Sequence, residues 1–367
     1  MLVYILFILL TLFLRFNLSS YKSTIARARI ERRFLHILAF ILLLITALRG
    51  ANVGTDTRNY LIMYVHYIPA YSFNEMFFGL SNSPLSFYLF KTLSFLHMPP
   101  QVLLGTISFI YISAIVRLID KFSTDKIYSF LCFFVIIGLY ELSVPALKQC
   151  SAMGLALHGF LYLYDKKYVK AGFMAVLAFY FHKSSAIFLF GYMLWFLRDR
   201  KNYYAFIGAA FFLCVLASQS VLRILLDFLK DEHYSGYMNE DNYTSWTAFI
   251  YYFILILYSS LFIRKYNSQN STESRIFFGF AILATALQSL SAVVASAFRL
   301  ATYFLPFFIV LLPNAISTDK KNGGQYKTVL LVFLLLFYFY VNRNGGNIVP
   351  HKFFWQDYDI PNVNFGG

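Results

Sequence analysis

Apolar runs of about 15 to 20 residues recur along the whole chain, and they constrain its fold more than any other feature. A run of this length crosses about 30 Å of hydrocarbon as an α-helix. The shorter alternating strands of a membrane barrel are absent. Because 59% of the residues are hydrophobic and only 13% are charged, a soluble domain is excluded. We predict an all-α, polytopic integral membrane protein with one transmembrane domain over residues 1–367.

Twelve apolar segments are predicted to span the membrane. They are 2–16, 34–48, 101–119, 127–143, 146–164, 168–181, 184–198, 203–219, 246–263, 276–295, 299–313 and 327–341. Segment 84–98 is shorter, opens with Pro84 and contains Lys91. We interpret it as an interfacial or re-entrant helix, because a crossing there would reverse the side of every later loop.

Basic residues are concentrated in alternate connections, which gives the orientation. Six connections carry 21 of the 31 Lys and Arg residues but seven of the 17 acidic ones: 15–33, 117–126, 165–170, 198–201, 264–275 and 318–327. The positive-inside rule makes these cytoplasmic. Both termini are then periplasmic, as are loops 49–100 and 220–245 and the tail 342–367.

The net charge of +14 is explained by this orientation and by attraction to anionic lipid at the inner leaflet. The bases form no patch interleaved with aromatic residues, so we predict no nucleic-acid partner. The three cysteines, Cys132, Cys150 and Cys214, lie in apolar runs without CxxC spacing, so we predict neither a disulfide framework nor a metal site. No cofactor is predicted either.

The stretch RGANVGTDTRNY, residues 49–60, places polar groups at the outer end of the second predicted span. Gly54 permits a tight turn, and Asp56 either caps the helix that follows or serves as a catalytic base. Capping does not account for Arg49 and Arg58, which flank the turn. We predict that these two arginines bind phosphate through charge-assisted hydrogen bonds.

Glu141, Lys148 and Gln149 bracket Pro145 at a second outer junction. Lys148 opens a helix, where the helix dipole favours an anion over a cation. This lysine therefore either snorkels to lipid headgroups or helps to hold an anion together with free helix N–H groups. Glu141 is a weaker candidate for a base.

His182 and Lys183 form a third outer turn, within AFYFHKSSAIFLF. Imidazole is the commonest general base near neutral pH, which makes His182 a candidate for that role. The alternative is an interfacial histidine beside aromatic anchors. Both interpretations are compatible with the pattern.

Arg299 is the only charged residue between positions 276 and 313. A charge at membrane depth costs about 2.5 kcal/mol or more, so it usually faces a polar cavity or a partner. Together with Arg49, Arg58, Lys148 and Lys183, it lies on the predicted outer side. Cations there suit a lipid-linked diphosphate if their helices converge.

Five stretches occur in the order and at about the spacing of a known family: VGTDTRNY (53–60), PALKQCSAMGLAL (145–157), FHKSSAIF (181–188), FRLATYF (298–304) and PHKFF (350–354). The chain resembles the EpsG-like, Wzy-type polysaccharide polymerases over nearly its whole length. Two positions depart from the family pattern. Lys148-Gln149 stands where Arg-Gln is usual, and Pro350-His351-Lys352 stands where Pro-Tyr-Lys is more frequent.

The resemblance implies a GT-C-like glycosyltransferase in the bacterial inner membrane. Such enzymes join oligosaccharide repeat units carried on undecaprenyl diphosphate, at the outer face, into O-antigen, capsule or exopolysaccharide. A chain-length regulator and other polysaccharide assembly proteins are implied partners. The proposed roles are Arg299 as first diphosphate ligand, assisted by Arg49, Arg58, Lys148 and Lys183, with Gln149 and Tyr303 in substrate binding and His182, Asp56 or Glu141 as base.

A flippase or other transporter of lipid-linked oligosaccharides is the alternative from another class. It too would hold cations in a cavity within a similar number of helices. The sequence shows no repeated halves, and its charged candidates cluster at one face, whereas alternating access uses a site near the midplane. The polymerase prediction is therefore preferred.

Overall fold

The regular structure of this chain is helical. The computed structural model describes residues 1–21, 23–75, 83–216, 220, 224, 246–293, 295–343 and 348–356, and within them β pairing is confined to isolated bridges. The helices are α1 (Leu2–Asn17), α2 (Thr24–Ala47), α3 (Thr57–Ile62), α4 (Pro84–Phe95), α5 (Pro100–Phe122), α6 (Lys126–Val135), α7 (Tyr140–Ser143), α8 (Leu147–Tyr164), α9 (Tyr168–Phe181), α10 (Leu189–Leu197), α11 (Tyr203–Leu216), α12 (Thr247–Gln269), α13 (Ser271–Gln288), α14 (Phe298–Ala301), α15 (Phe308–Ser317) and α16 (Gly323–Asn342). The all-α prediction is confirmed.

In its described residues, each predicted span overlaps with helical structure, and the longest helices meet the length and composition requirements of a membrane crossing. Among the described residues, four stretches are long and apolar enough on their own: Pro100–Phe122, Thr247–Gln269, Ser271–Ala292 and Gly323–Asn342. Several shorter apolar helices accompany them. The count of twelve spans and the orientation of the termini stay predictions.

Two of the predicted spans are interrupted between shorter helices. In 127–143, α6 ends at Val135 and α7 starts only at Tyr140, because Gly138 adopts a φ of +80° between them. In 299–313, the four-residue α14 is followed by a 3₁₀ turn and then α15. Pro306 lies in that turn and has no N–H to continue a helical ladder.

Segment 84–98 contains a helix of 12 residues, α4, which begins at Pro84. The Ser86 hydroxyl donates to the carbonyl of Phe181 at 2.8 Å, which fixes α4 beside the end of α9. Its interfacial or re-entrant position stays a prediction. Loop 220–245 lies outside the described residues except for 220 and 224, and of the tail only 342–343 and 348–356 are described.

Ion pairs tie the predicted cytoplasmic connections together at one end of the bundle. Asp125, just before α6, accepts from Arg15 of α1 at 3.0 Å and from Lys327 of α16 at 2.9 Å. Arg32 of α2 pairs with Asp120 of α5 at 2.7 Å. These contacts bring three widely separated connections together at one face, as the charge pattern predicts: 15–33, 117–126 and 318–327.

The interior is packed with apolar and aromatic side chains, and the outside also remains apolar. Helix α8 lies so close to α5 that a Cβ on Gly154 would stand 2.7 Å from the carbonyl oxygen of Ile110. Large side chains such as Phe13, Phe173 and Leu261 are exposed on the surface of the bundle. Exposed apolar faces of this extent are typical of a protein surrounded by lipid.

Candidate functional site

The stretch RGANVGTDTRNY (49–60) packs against the junction between α7 and α8. It lies at the end of the bundle opposite the Asp125 ion pairs. Gly54 has a φ of +97°, and a Cβ there would lie 2.5 Å from Oγ1 of Thr57 and 3.3 Å from Cα of Pro145. The carbonyl of Val144 accepts from Nη2 of Arg49 at 2.8 Å and from the Thr57 hydroxyl at 3.4 Å. A glycine is therefore required for this close approach.

Arg49 is buried next to the candidate site and donates hydrogen bonds to the backbone there. Its side chain is 1% exposed, and its Nη1 donates to the carbonyl of Thr46 at 2.6 Å. Its backbone pairs with Phe353, so that the tail motif folds back onto the end of α2. Burial lowers the pKa of Arg49 to about 10, and the residue is still charged at neutral pH. Because its Nη atoms donate to carbonyls, we assign Arg49 to positioning rather than to diphosphate contact.

Lys148 and Gln149 enter the site from the first turn of α8. The Lys148 ammonium lies 4.7 Å from the ring centre of Phe87 and 5.8 Å from that of Tyr60, in cation–π geometry. The Gln149 amide donates to the carbonyl of Arg299 and to the hydroxyl of Thr302, both at 2.9 Å. Gln149 thus ties the start of α8 to α14 and fixes the backbone that carries Arg299.

Some buried polar atoms of this region have no hydrogen-bond partner. They include Oε1 of Gln149 and Nε of Arg299. Buried polar atoms are normally paired, so unpaired ones at a candidate site indicate a place for a polar ligand. Arg299 is half-buried and can therefore still reach such a ligand.

A hydrogen-bonded chain connects His182 to the segment that carries Arg299. The backbone N–H of Ser184 donates to Nδ1 of His182 at 3.3 Å, and the Ser184 hydroxyl lies 2.7 Å from the same nitrogen. The hydroxyl of Tyr303 lies 3.0 Å from that of Ser184. Since Nδ1 accepts from a backbone N–H, the neutral imidazole carries its proton on Nε2.

Electrostatic effects relate His182 and Tyr60 to several of the candidate residues. Burial, together with the cations Lys148 and Arg299, lowers the pKa of His182 to about 3. Burial and Asp56 raise the pKa of Tyr60 to about 12, against an opposing effect of Arg299. We call Asp56, Tyr60, Lys148, His182 and Arg299 the candidate cluster.

Asp56 occupies the N-cap position of α3, but its side chain makes no capping hydrogen bond. The capping interpretation of this carboxylate is thus wrong. Asp56 is a partly exposed member of the candidate cluster, and its oxygens are available to a substrate. Arg58, two residues later, is exposed on the surface of α3.

Glu141 faces another part of the bundle. It acts electrostatically on Tyr252 and Tyr338, which belong to α12 and α16, and its Oε2 is buried without a hydrogen-bond partner. Lys183 follows His182 as the first residue of a 3₁₀ turn. Within the described residues, no group of three or more His, Cys, Asp or Glu side chains is arranged to hold a metal ion.

Sequence reasoning missed several members of the cluster. Tyr60, Phe87 and Thr302 were not predicted, although Tyr60 and Thr302 lie inside the quoted motifs. Tyr60 lies one helical turn after Asp56 in DTRNY (56–60), and this spacing is the sequence signal that identifies it. No sequence signal points to Phe87, since its role depends on α4 folding over the start of α8.

The family follows from comparison of the whole chain. A family model described as the EpsG family matches residues 32–354. This protein belongs to the EpsG family. The matched range contains all five motifs and confirms the resemblance on which the prediction rested. Comparison with curated proteins gives no match, and comparison with solved structures gives none either. This EpsG protein is an integral membrane protein of polysaccharide biosynthesis.

Proposed function

We propose that this EpsG-family protein is a polysaccharide polymerase. It joins oligosaccharide repeat units linked to undecaprenyl diphosphate, at the outer face of the bacterial inner membrane. The product is an O-antigen, capsule or exopolysaccharide chain. The observation that carries the proposal is the set of hydrogen bonds that brings the segments of Lys148, His182 and Arg299 together: Gln149 donates to the carbonyl of Arg299, and Ser184 contacts both His182 and Tyr303.

The reaction is a glycosyl transfer in which one C–O bond replaces another. A hydroxyl of the incoming repeat attacks the anomeric carbon of the growing chain, the bond to the diphosphate breaks, and the hydroxyl proton passes to a base. Undecaprenyl diphosphate leaves as an anion. Arg299 and Lys148 stabilise the charge that develops on it, as fixed cations do in low-dielectric sites.

His182 serves this reaction as a hydrogen-bond donor. Its Nδ1 is already occupied by Ser184, and its Nε2 carries the proton of the neutral ring. A pKa of about 3 also makes it a poor acceptor for a hydroxyl proton. We therefore assign Nε2–H of His182 to a diphosphate oxygen.

Asp56 is then the base. It lies in the same cluster, and its carboxylate is not used for capping. The bond from Ser184 to Nδ1 of His182 and the lack of a capping bond at Asp56 support Asp56 over His182 in this role. Glu141 contacts a different region and has no role in this scheme.

A cavity beside Lys148 offers space for the sugars. It has a volume of about 410 Å³ and is lined by Asn59, Ile62, Met63, Tyr67, Ile68, Tyr71 and Phe87. Aromatic faces with a few polar groups are typical of pockets that hold small organic ligands. Phe87 also contacts the Lys148 ammonium, so the cavity adjoins the proposed diphosphate ligands.

The flippase alternative requires a different distribution of polar groups. Alternating access uses a binding site near the bilayer midplane. The cluster lies instead at the ends of α8 and α9 and in the short helices α3 and α14. This position favours chemistry at a membrane face over transport through the bundle.

Complementation of a deletion strain distinguishes the two functions. We expect Arg299→Ala to abolish long polysaccharide chains while single repeat units are still displayed on the cell surface. Arg264→Ala is the matched control, because Arg264 is exposed in a predicted cytoplasmic connection, and it should give a wild-type size ladder. Failure of single repeats to reach the surface in the Arg299→Ala strain would contradict the polymerase proposal and favour a flippase. Immunoblots of the membranes control for protein amount.

A further inference from the structure

A second cavity lies in the groove between α8, α9 and α10. Its volume is about 460 Å³, within the range of about 300–1,000 Å³ typical of ligand sites. The lining is almost wholly apolar: Ala156, Ala175, Val176, Ala178, Phe179, Tyr180, Ser185, Ala186, Phe188, Leu189 and Tyr192. Small alanine side chains from three elements keep the groove open.

The groove opens toward the lipid. Val176, Phe179 and Tyr180 of α9 and Leu189 of α10 line it and are exposed on the surface of the bundle. A ligand can therefore enter sideways from the membrane. The same opening excludes a water-soluble ligand as the natural occupant, because the rim is apolar.

Ser185 marks the polar end of the groove. Its side chain is 5% exposed and lines the cavity, yet its hydroxyl has no hydrogen-bond partner. The preceding residue, Ser184, contacts Nδ1 of His182 and the hydroxyl of Tyr303. An unpaired buried hydroxyl at this point indicates a ligand with a polar atom where its apolar part begins.

We propose that this groove binds the polyprenyl chain of the lipid diphosphate, with the Ser185 hydroxyl donating to an oxygen at the junction of chain and diphosphate. The proposal rests on the proposed function, which supplies the class of ligand. The cations Lys148 and Arg299 hold the head, and the groove leads from their site into the membrane. An amphiphile with an anionic head and a long unsaturated tail fits both parts at once.

The test uses the purified full-length protein in nanodiscs and a photoreactive undecaprenyl diphosphate probe. Ala175→Leu fills the groove, and we expect it to lower probe labelling about tenfold or more, because several buried methylene groups lose their contacts. Gly172→Leu is the matched control on the same helix. A Cβ there would meet nothing within 4 Å, and labelling should equal that of the wild type.

Competition by inorganic diphosphate distinguishes binding of the diphosphate head from binding of the polyprenyl chain. It should inhibit labelling of the wild type, and its binding affinity should be unchanged in Ala175→Leu and lost in Arg299→Ala. Retained diphosphate binding also shows that Ala175→Leu is folded. As a second measurement, mass spectrometry should place the cross-link in the wild type on peptides from residues 175–192.

Three other results would each overturn a specific part of the account. Normal probe binding by Ala175→Leu, with loss in Arg299→Ala, would overturn the groove assignment and leave the polymerase proposal intact. Competition by phosphatidylglycerol as strong as that by undecaprenyl diphosphate would make the groove a site for ordinary lipid, and would also overturn it. Absence of binding of either diphosphate to the wild type would overturn the proposed function itself.

Discussion

At the scale of single residues, hydrogen bonds decide between roles that residue type leaves open. His182 and Asp56 are equal candidates for a base when only their types and positions are known. The N–H of Ser184 fixes the tautomer of His182, and the missing cap bond leaves the Asp56 carboxylate available. Neither fact is accessible from sequence, because both depend on backbone geometry of single turns.

Asp56→Asn should lower polymer formation by about 10²–10⁴-fold, the usual contribution of a general base. The amide keeps the shape of the carboxylate but accepts no proton. His182→Gln should retain more activity than Asp56→Asn, because its amide still donates a hydrogen bond. Rates of polymer formation with purified lipid-linked repeats measure both effects. Wild-type activity in Asp56→Asn would exclude this residue as the base.

The depressed pKa of His182 predicts a pH dependence of stability. The free imidazole has a pKa of 6.5, whereas burial and then Lys148 and Arg299 hold the folded-state pKa at about 3. The unfolded chain therefore binds more protons between these values, and His182 makes the protein less stable as the pH falls from 6.5 toward 3. His182→Gln should flatten this part of the curve of unfolding midpoint against pH. An unchanged slope would show that His182 titrates normally.

At the scale of elements, the sequence predicts where helices lie but not where they break or meet. Apolar length locates α5, α12 and α16 within a few residues, because burial in lipid requires continuous backbone hydrogen bonding. The break at Gly138 depends on close packing of Tyr252, whose hydroxyl would lie 2.7 Å from a Cβ at that position. The pairing of Arg49 with Phe353 joins residues far apart in the chain, and no local pattern encodes it.

Gly54→Ala tests whether the turn within residues 49–60 positions the candidate cluster. A φ of +97° and a contact of 2.5 Å with Thr57 both disfavour a side chain, so we expect a loss of about 1–3 kcal/mol in local stability. Polymer formation should fall while membrane insertion is unchanged. Gly208→Ala is the control, because a Cβ there meets nothing within 4 Å. Equal activity and equal unfolding midpoints in the two variants would contradict the role of the turn.

At the scale of the whole molecule, two polar ends flank an apolar bundle. The charge distribution predicts this division, since basic connections alternate with neutral ones. The ion pairs around Asp125 stand at one end and the cluster of Lys148, His182 and Arg299 at the other. The sequence predicts only the side of each loop, and the proximity of the cations depends on the packing of α4, α8 and α14.

The Asp125 ion pairs should contribute to stability but not to catalysis. Burial raises the pKa of Asp125, but Lys327 and Arg15 outweigh it and hold the pKa below its usual value. The contribution is present at neutral pH and is lost as the pH falls through the folded-state pKa. Asp125→Asn should cost about 3 kcal/mol of unfolding free energy, because two largely buried cations lose their partner. Its activity per folded molecule should equal that of the wild type.

Asp199→Asn is the control for that measurement. Its side chain is 67% exposed in a pair with Arg198, so the change should lie within about 0.5 kcal/mol. Denaturation of both variants in the same detergent gives the comparison. An equal effect of the two substitutions would show that the Asp125 contacts do not hold the connections together.

The most direct test of the central claim is reconstitution of the purified protein with lipid-linked repeat units. We predict that the wild type and Arg264→Ala produce a ladder of polymers and release undecaprenyl diphosphate, whereas Arg299→Ala produces neither. Gel separation of the glycans and assay of released lipid diphosphate measure both products. If the pure wild type formed no polymer under any condition of metal or pH while an added accessory protein restored it, catalysis by this cluster of residues alone would be contradicted.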